Sequence, residues 1–173
     1  MCHQNFQIFE LFVKMLRKLA GSGRRTFVFV LGNHELWNFP GLSVDEIVDK
    51  YRTVLKENGM YLLHNDLFYR NESDDMGIIP YDELIQSDNL AILEKLRCTR
   101  LVILGGLGFS GYNEEFNAND GVYRATVDRN TEIQESKKFE QLYDKLTDVL
   151  AKKNTVIFTH TPKKRLVCRC KVS

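Results

Sequence analysis

Three short apolar runs, separated by segments with helical periodicity, are the feature that most constrains the fold. The runs are Thr26–Leu31, Leu101–Leu104 and Thr155–Thr159, and each is rich in β-branched or aliphatic residues without polar alternation. This pattern is typical of strands that are covered on both faces. Strands that alternate with helices predict an α/β fold, in which a parallel or mostly parallel sheet is layered between helices.

Apolar residues recur at intervals of three and four in several segments, and this spacing predicts helices. One helix is expected over residues 6–20, with Phe12 and Leu19 on its buried stripe and Gly21 at its end. Ser43 and Glu46 have the spacing of a capping box, which predicts that the next helix begins there. Further helices are expected near residues 90–96 and over residues 131–151, and two short strands over residues 60–70.

Length and charge narrow the class of protein. The chain has 173 residues, the size of one domain, and 24 basic against 23 acidic side chains leave a net charge of +1. Such a balance predicts no strong attraction to nucleic acid. No apolar run approaches the ~20 residues that span a bilayer, and the amino terminus lacks the pattern of a signal peptide. A cytoplasmic protein without a membrane partner is therefore expected.

A functional site is expected at the carboxyl ends of the strands, because ligands of open α/β sheets bind there. Three polar or glycine-rich motifs follow the apolar runs: GNHE at 32–35, GGLGFSG at 105–111 and THTP at 159–162. In the first motif, the amide oxygen of Asn33 is a hard metal ligand, and His34 can act as acid, base or ligand. The alternative is that both residues only cap the turn that follows.

These motifs carry a family resemblance. The segment TFVFVLGNHELW resembles the third signature block of the calcineurin-like metallophosphoesterases, in which Gly-Asn-His and an acidic residue follow a buried strand. The likeness continues through residues 102–124 and VIFTHTPKK, as in a bacterial branch of that family, and covers most of residues 5–164. It implies metal-dependent hydrolysis of a phosphomonoester or phosphodiester, with two divalent ions, Mn, Fe or Zn, that clamp the substrate.

The resemblance also implies roles for three residues. Asn33 would bind one metal ion, and His160 would bind the same ion from the end of another strand. His34 would face the scissile group and either stabilise the transition state or protonate the leaving oxygen. For His160, the alternative is a hydrogen-bonded histidine at a strand end.

Several motifs of the family are absent from the printed sequence. Asp-x-His, the Gly-Asp of the second block and Gly-His-x-His are not found, and residues 165–173 read RLVCRCKVS. Residues 1–164 are therefore expected to form a partial metallophosphoesterase-like domain that lacks the first two strands and the carboxyl-terminal part, followed by an atypical tail that fits an out-of-frame translation. Weak metal affinity, little hydrolysis and self-association through an unpaired sheet edge at Phe27–Leu31 follow.

The missing motifs are also compatible with two further hypotheses. In one, a separate polypeptide supplies the missing strands. In the other, the chain is a non-catalytic binding or regulatory module that retains the fold. Metal-dependent turnover that disappears in His34→Ala would exclude such a module, whereas tight binding of a partner without metal would favour it.

Two further features have competing interpretations. Gly106, Gly108 and Gly111 have the spacing of a dinucleotide-binding fingerprint, but the next residues lack the apolar stripe of the helix that such a site requires. The glycines are instead expected to permit close approach of backbone segments. His3 and His64 are not included in the expected site. His3 lies in an amino terminus that is expected to fray. His64 precedes an expected Asn65-Asp66 turn and is predicted to face solvent or bond locally.

Overall fold

A computed structural model describes residues 2–21, 25–39, 41–109 and 129–161. The helices of this part are α1 (Cys2–Ala20), α2 (Asn33–Trp37), α3 (Val44–Glu57), α4 (Tyr81–Gln86), α5 (Asn89–Lys95) and α6 (Arg129–Ala151). The strands are β1 (Val28–Val30), β2 (Tyr61–Leu63), β3 (Asp66–Asn71), β4 (Met76–Ile79), β5 (Thr99–Gly108) and β6 (Thr155–Thr161). The predicted α/β class is confirmed at this level.

The strands form a parallel pair, β1–β2, and a mixed sheet in the order β4-β3-β5-β6. In the mixed sheet β3 runs antiparallel to both β4 and β5, whereas β5 and β6 are parallel. The prediction of a mostly parallel sheet is therefore wrong. The reason is that β3 and β4 are joined by a short turn, in which the amide of Asn71 donates to the carbonyl of Asp75 over 2.9 Å, and such a turn joins only antiparallel strands.

Buried apolar side chains of the described residues form two clusters. The first joins α1 and α3 to the β1–β2 pair, and Leu107 of β5 extends into it. The second lies between the mixed sheet and helices α4, α5 and α6, with Phe139, Leu142 and Leu146 at its centre. Each cluster removes a helix face and a sheet face from water together, which is the main source of stabilisation for layers of this kind.

Helix ends follow the signals in the sequence. The capping box is confirmed: the amide of Ser43 donates to Glu46 Oε2 over 2.8 Å, and the amide of Glu46 donates to Ser43 Oγ over 3.3 Å. Glycine ends α1 as expected, because Gly21 adopts a φ of 65°. At the end of α4, Lys145 Nζ donates to the carbonyls of Leu84, Ile85 and Ser87. The last carbonyls of a helix accept no hydrogen bond within the helix, so Lys145 supplies the donor that they lack.

Two predictions about apolar surfaces differ from the structure. Phe12 and Leu19 are 42% and 69% exposed, because α1 packs through the neighbouring face that carries Val13. Strand β1 is half-buried rather than covered on both faces. The helix and strand themselves are confirmed, but their apolar residues are not all used in packing within the described chain.

Other predicted elements are confirmed with shifted ends. Helices α3, α5 and α6 lie where expected, while the sequence does not predict α2, α4 and β4. Strand β5 continues to Gly108, beyond the expected end at Leu104, and β6 extends past His160. No helix in the described ranges is long and apolar enough to cross a membrane. The loop at residues 110–128 and the tail at residues 165–173 lie outside the described residues.

Candidate active site at the strand ends

The ends of β1 and β6 bring two of the predicted motifs together. A Cβ atom added to Gly32 would lie 2.9 Å from both Cε1 and Nδ1 of His160 and 3.0 Å from Glu35 Oε2. The imidazole of His160 therefore packs directly on the backbone of the GNHE motif. Any side chain larger than that of glycine at position 32 would displace this ring.

The GNHE motif is held in place by the short helix α2. Gly32 has extended backbone, with φ −97° and ψ −178°, and its amide donates to Glu35 Oε2 over 2.9 Å. The carboxylate of Glu35 thus caps the amino terminus of α2, where negative charge is stabilising. It is this residue, rather than Asn33 or His34, that makes the capping bond described at this turn.

The predicted site residues are placed as follows. His34 lies in the first turn of α2 and is exposed, and His160 is exposed near the end of β6. Asn33 begins α2, and its side chain is outside the described part of the structure. The structure therefore brings the backbone of Asn33 and the ring of His160 to one place, while the predicted ligand role of the Asn33 amide stays a prediction.

The glycines of β5 fit the expectation of close backbone approach. A Cβ on Gly106 would lie 2.6 Å from Asn65 Oδ1, and one on Gly108 would lie 2.7 Å from Thr159 Cβ. Gly108 also has a φ of 93°, which side-chain-bearing residues rarely adopt. Both residues belong to a strand rather than to a helix amino terminus, and Gly111 lies outside the described residues.

A buried polar cluster lies beside these strand ends, and the sequence analysis missed it. His64 follows β2 and is only 8% exposed, and its ring bonds to Glu135 rather than to a nearby residue, so the prediction of a solvent-facing or locally bonded side chain is wrong. Its Nε2 lies 2.9 Å from Glu135 Oε2 on α6, and Lys138 Nζ lies 2.7 Å from Glu135 Oε1. The expected turn is confirmed by a φ of 62° at Asn65.

Asp66 joins the same cluster from the start of β3. Its carboxylate accepts from the amides of His64 and Tyr81 over 3.1 and 3.2 Å, and from Arg52 Nη2 over 3.2 Å. Burial raises the pKa of Asp66 above its ordinary value in spite of these bonds. A single carboxylate thus ties β2, β3, α3 and α4 together.

Glu135 has the opposite pKa shift. Burial alone would raise the pKa of Glu135, but the hydrogen bonds and positive charge of His64 and Lys138 outweigh it and lower the pKa. The pKa of Lys138 is raised, mainly by its bond to Glu135. Glu135 is therefore an ionised carboxylate that is held inside the protein by His64, by Lys138 and, over 3.5 Å, by the side-chain amide of Asn65.

The described residues do not complete a metal centre. No group of three or more His, Cys, Asp or Glu side chains within them is arranged to hold a metal ion. His160 and the amide expected from Asn33 provide two donors, and a closed protein site for a divalent ion generally needs more. The described donor set does not fit the two-metal centre that the resemblance implies.

Comparison with known proteins adds no relative. No protein-family model, curated protein or solved structure matches this chain.

Proposed function

We propose that the chain carries a phosphoester site of the metallophosphoesterase type at the carboxyl ends of β1 and β6. The substrate class is a phosphomonoester or phosphodiester, and the proposed reaction is metal-dependent hydrolysis. The observation that carries the proposal is the packing of the His160 ring on Gly32, with Nδ1 2.9 Å from the position of an added Cβ. Two motifs that the resemblance assigns to one centre thus occupy one place.

Each proposed residue has a separate task. Asn33 and His160 would hold a divalent ion, Mn, Fe or Zn, through an amide oxygen and an imidazole nitrogen. His34, exposed in the first turn of α2, donates a proton to the leaving oxygen or hydrogen bonds to the phosphoryl oxygens. Because the described donors are too few for a closed centre, we propose weak metal binding and a low rate of hydrolysis.

A second candidate is a non-catalytic binding or regulatory module. It is favoured by the absence of a metal-holding group among the described residues. The two proposals differ in one respect that can be measured, since only the first requires turnover that depends on His34.

The first test combines metal binding with hydrolysis. Equilibrium dialysis against Mn²⁺ and Zn²⁺, and hydrolysis of para-nitrophenyl phosphate and its bis ester, are measured for the wild type, Asn33→Ala, His34→Ala and His160→Ala. His3→Ala is the control, because no role in the proposed site is assigned to His3. We expect N33A and H160A to lose the bound metal, and H34A to keep the metal but lose at least tenfold in hydrolysis.

Two results would count against the phosphoesterase proposal. One is metal binding that is unchanged in both N33A and H160A. The other is hydrolysis that falls equally in H34A and H3A. Absence of any turnover together with a tightly bound, metal-independent partner would favour the non-catalytic module.

A further inference from the structure

A cavity of about 330 Å³ lies between the β1–β2 pair and the edge strand of the mixed sheet. Its lining comes from the last turns of α3, from Gly59 and Met60, from Tyr61 and Leu62 of β2, and from Ile78 of β4. The volume falls in the range of roughly 300–1,000 Å³ that is typical of sites for small molecules.

The inner surface of this cavity is apolar and can be reached from solvent. Met60 and Leu62 are buried beneath it, whereas Tyr61 and Ile78 are only half-buried. The Tyr61 ring is held edge-on against Phe68 of β3, with 5.0 Å between the ring centroids. The wall is thus formed before a ligand arrives, and an apolar ligand would remove its exposed carbon atoms from water.

The free charges beside the cavity are positive. Lys56, exposed in the last turn of α3, belongs to the lining, and no carboxylate does. Arg17 of α1 lies next to the same turn, since its Nη1 is 3.8 Å from the position of a Cβ added to Gly59. Neither cation forms an ion pair within the part of the chain that the structure describes. An anionic head group is therefore attracted to this end of the cavity.

Arg52 also lines the cavity, but its charge is already used. Its Nη1 lies 3.0 Å from Asp49 Oδ1 and its Nη2 lies 3.2 Å from Asp66 Oδ2, and neither aspartate belongs to the lining. The aliphatic part of the Arg52 side chain can therefore serve as apolar wall while the guanidinium stays with the aspartates.

The end of α3 does not repel an anion through free carbonyl groups. The carbonyl of Leu55 accepts from the amide of Met60 over 2.9 Å, and that of Lys56 accepts from the amide of Gly59 over 3.0 Å. These bonds close the helix end, as is usual when a glycine with positive φ follows a helix. The Lys56 ammonium is thus the nearest charge that an incoming head group meets.

We propose that this cavity binds a small amphiphilic anion, a medium-chain carboxylate. Its alkyl chain covers Met60, Leu62 and Ile78, and its carboxylate lies at the mouth beside Lys56 and Arg17. An ammonium and a guanidinium both donate charge-assisted hydrogen bonds to a carboxylate. This site is separate from the proposed phosphoester site and does not depend on it.

The test uses octanoate as the probe, below its micelle concentration, with hexanoate and octylammonium as analogues. Each is titrated into the full chain by isothermal calorimetry and followed in nitrogen-15 NMR spectra. We expect octanoate to bind 1:1, with shift changes centred on residues 56–62 and 78. Hexanoate should bind roughly tenfold more weakly, because two fewer methylene groups are buried. Octylammonium, which has the same chain and the opposite charge, should not bind.

Two variants test the head-group and chain contacts separately. Lys56→Gln should weaken octanoate binding by roughly two- to fivefold, whereas Lys152→Gln, an exposed lysine outside the lining, should not. Ile78→Thr keeps a β-branched side chain but removes apolar surface, and we expect at least threefold weaker binding. Its control is Val156→Thr, at the opposite edge of the same sheet, and circular dichroism checks that both variants are folded.

Several results would overturn the proposal. They are no octanoate binding to the wild type, equal binding of octylammonium, equal loss in K56Q and K152Q, and shift changes centred on α1 instead of on residues 56–62 and 78. If I78T fails to fold, the comparison of K56Q with K152Q decides, because both substitutions are exposed. Loss of metal binding in H160A tests the other site and leaves this outcome unaffected.

Discussion

Glu135 on α6 is only 5% exposed although it carries a carboxylate. Its carboxylate is buried and bonds to His64 across 2.9 Å and to Lys138 across 2.7 Å. Breaking a buried pair by removing one partner leaves the other without compensation, which costs more than the pair itself contributes. Glu135 is therefore expected to hold the end of β2 against α6.

We predict that Glu135→Gln lowers the free energy of unfolding at pH 7 by about 2–3 kcal/mol, because hydrogen bonds to a charged group are lost. The pKa of Glu135 is lowered in the folded protein, so its contribution is present above the ordinary value of 4.5 and is lost as pH falls through the lowered pKa. Urea denaturation at pH 7 and at progressively lower pH checks this, with the difference from wild type shrinking in acid.

The control for this prediction is Glu140→Gln, an exposed residue of the same helix. An equal effect of E140Q, or a difference from wild type that grows in acid, would contradict the account of Glu135.

The sequence predicts the residues at the ends of β1 and β6 but does not predict the buried pair of His64 and Glu135. The GNHE motif and His160 are predictable because each directly follows or ends an apolar strand, which is a local pattern. His64 is not, because its partner Glu135 lies far along the chain, and nothing in either segment signals the pairing. Local patterns identify strand ends, whereas a buried hydrogen-bonded pair such as His64 and Glu135 depends on tertiary contacts that one sequence does not display.

At the scale of elements, α1 and β1 leave apolar and backbone groups without partners in the described structure. Helix α1 exposes Ile8, Leu11, Met15 and Leu19, at helical spacing, by 52–69%. Within the described residues β1 pairs with β2 alone, so its other edge offers unpaired backbone groups. Exposed strand edges and apolar stripes promote association between chains.

We predict that the chain self-associates and that Leu11→Glu with Leu19→Glu reduces the association, because charges on the stripe oppose its burial. Sedimentation velocity over a range of concentrations measures the effect. Leu90→Glu is the control, since Leu90 is 78% exposed on α5, away from α1. Equal effects of L90E and of the α1 variant would contradict a role for this stripe.

Some features of the helices and strands cannot be predicted from the spacing of apolar residues. Strand, helix and capping signals predict α1, α3, β1 and α6 well, because each is encoded within its own segment. The direction of β3 and the pairing of β4 are not predicted, because the turn between them has the polar composition of a loop. A stripe of apolar residues predicts a helix but not which of its side chains will be buried, since Phe12 and Leu19 of the α1 stripe are exposed.

At the scale of the whole molecule, the carboxyl ends of four strands meet on one side. Val30 pairs with Leu63 in the parallel β1–β2 pair, so Gly32 and His64 follow two strands that run in the same direction. His160 packs on Gly32, and Leu63 packs on Gly105 of β5, where an added Cβ would lie 2.7 Å away. The proposed phosphoester site and the buried polar cluster of His64 therefore lie at the side of the sheets where ligands of α/β folds bind.

The most direct test of the central proposal is to locate a bound metal ion by paramagnetic broadening. In a nitrogen-15 NMR spectrum of the full chain titrated with Mn²⁺, we predict that the amide signals of residues 32–35 and 159–161 broaden first. His160→Ala should abolish this selective effect, and His3→Ala should not. Broadening that begins at Asp45, Asp49 and Asp82, or that is unchanged in H160A, would contradict a metal-dependent phosphoester site at the ends of β1 and β6.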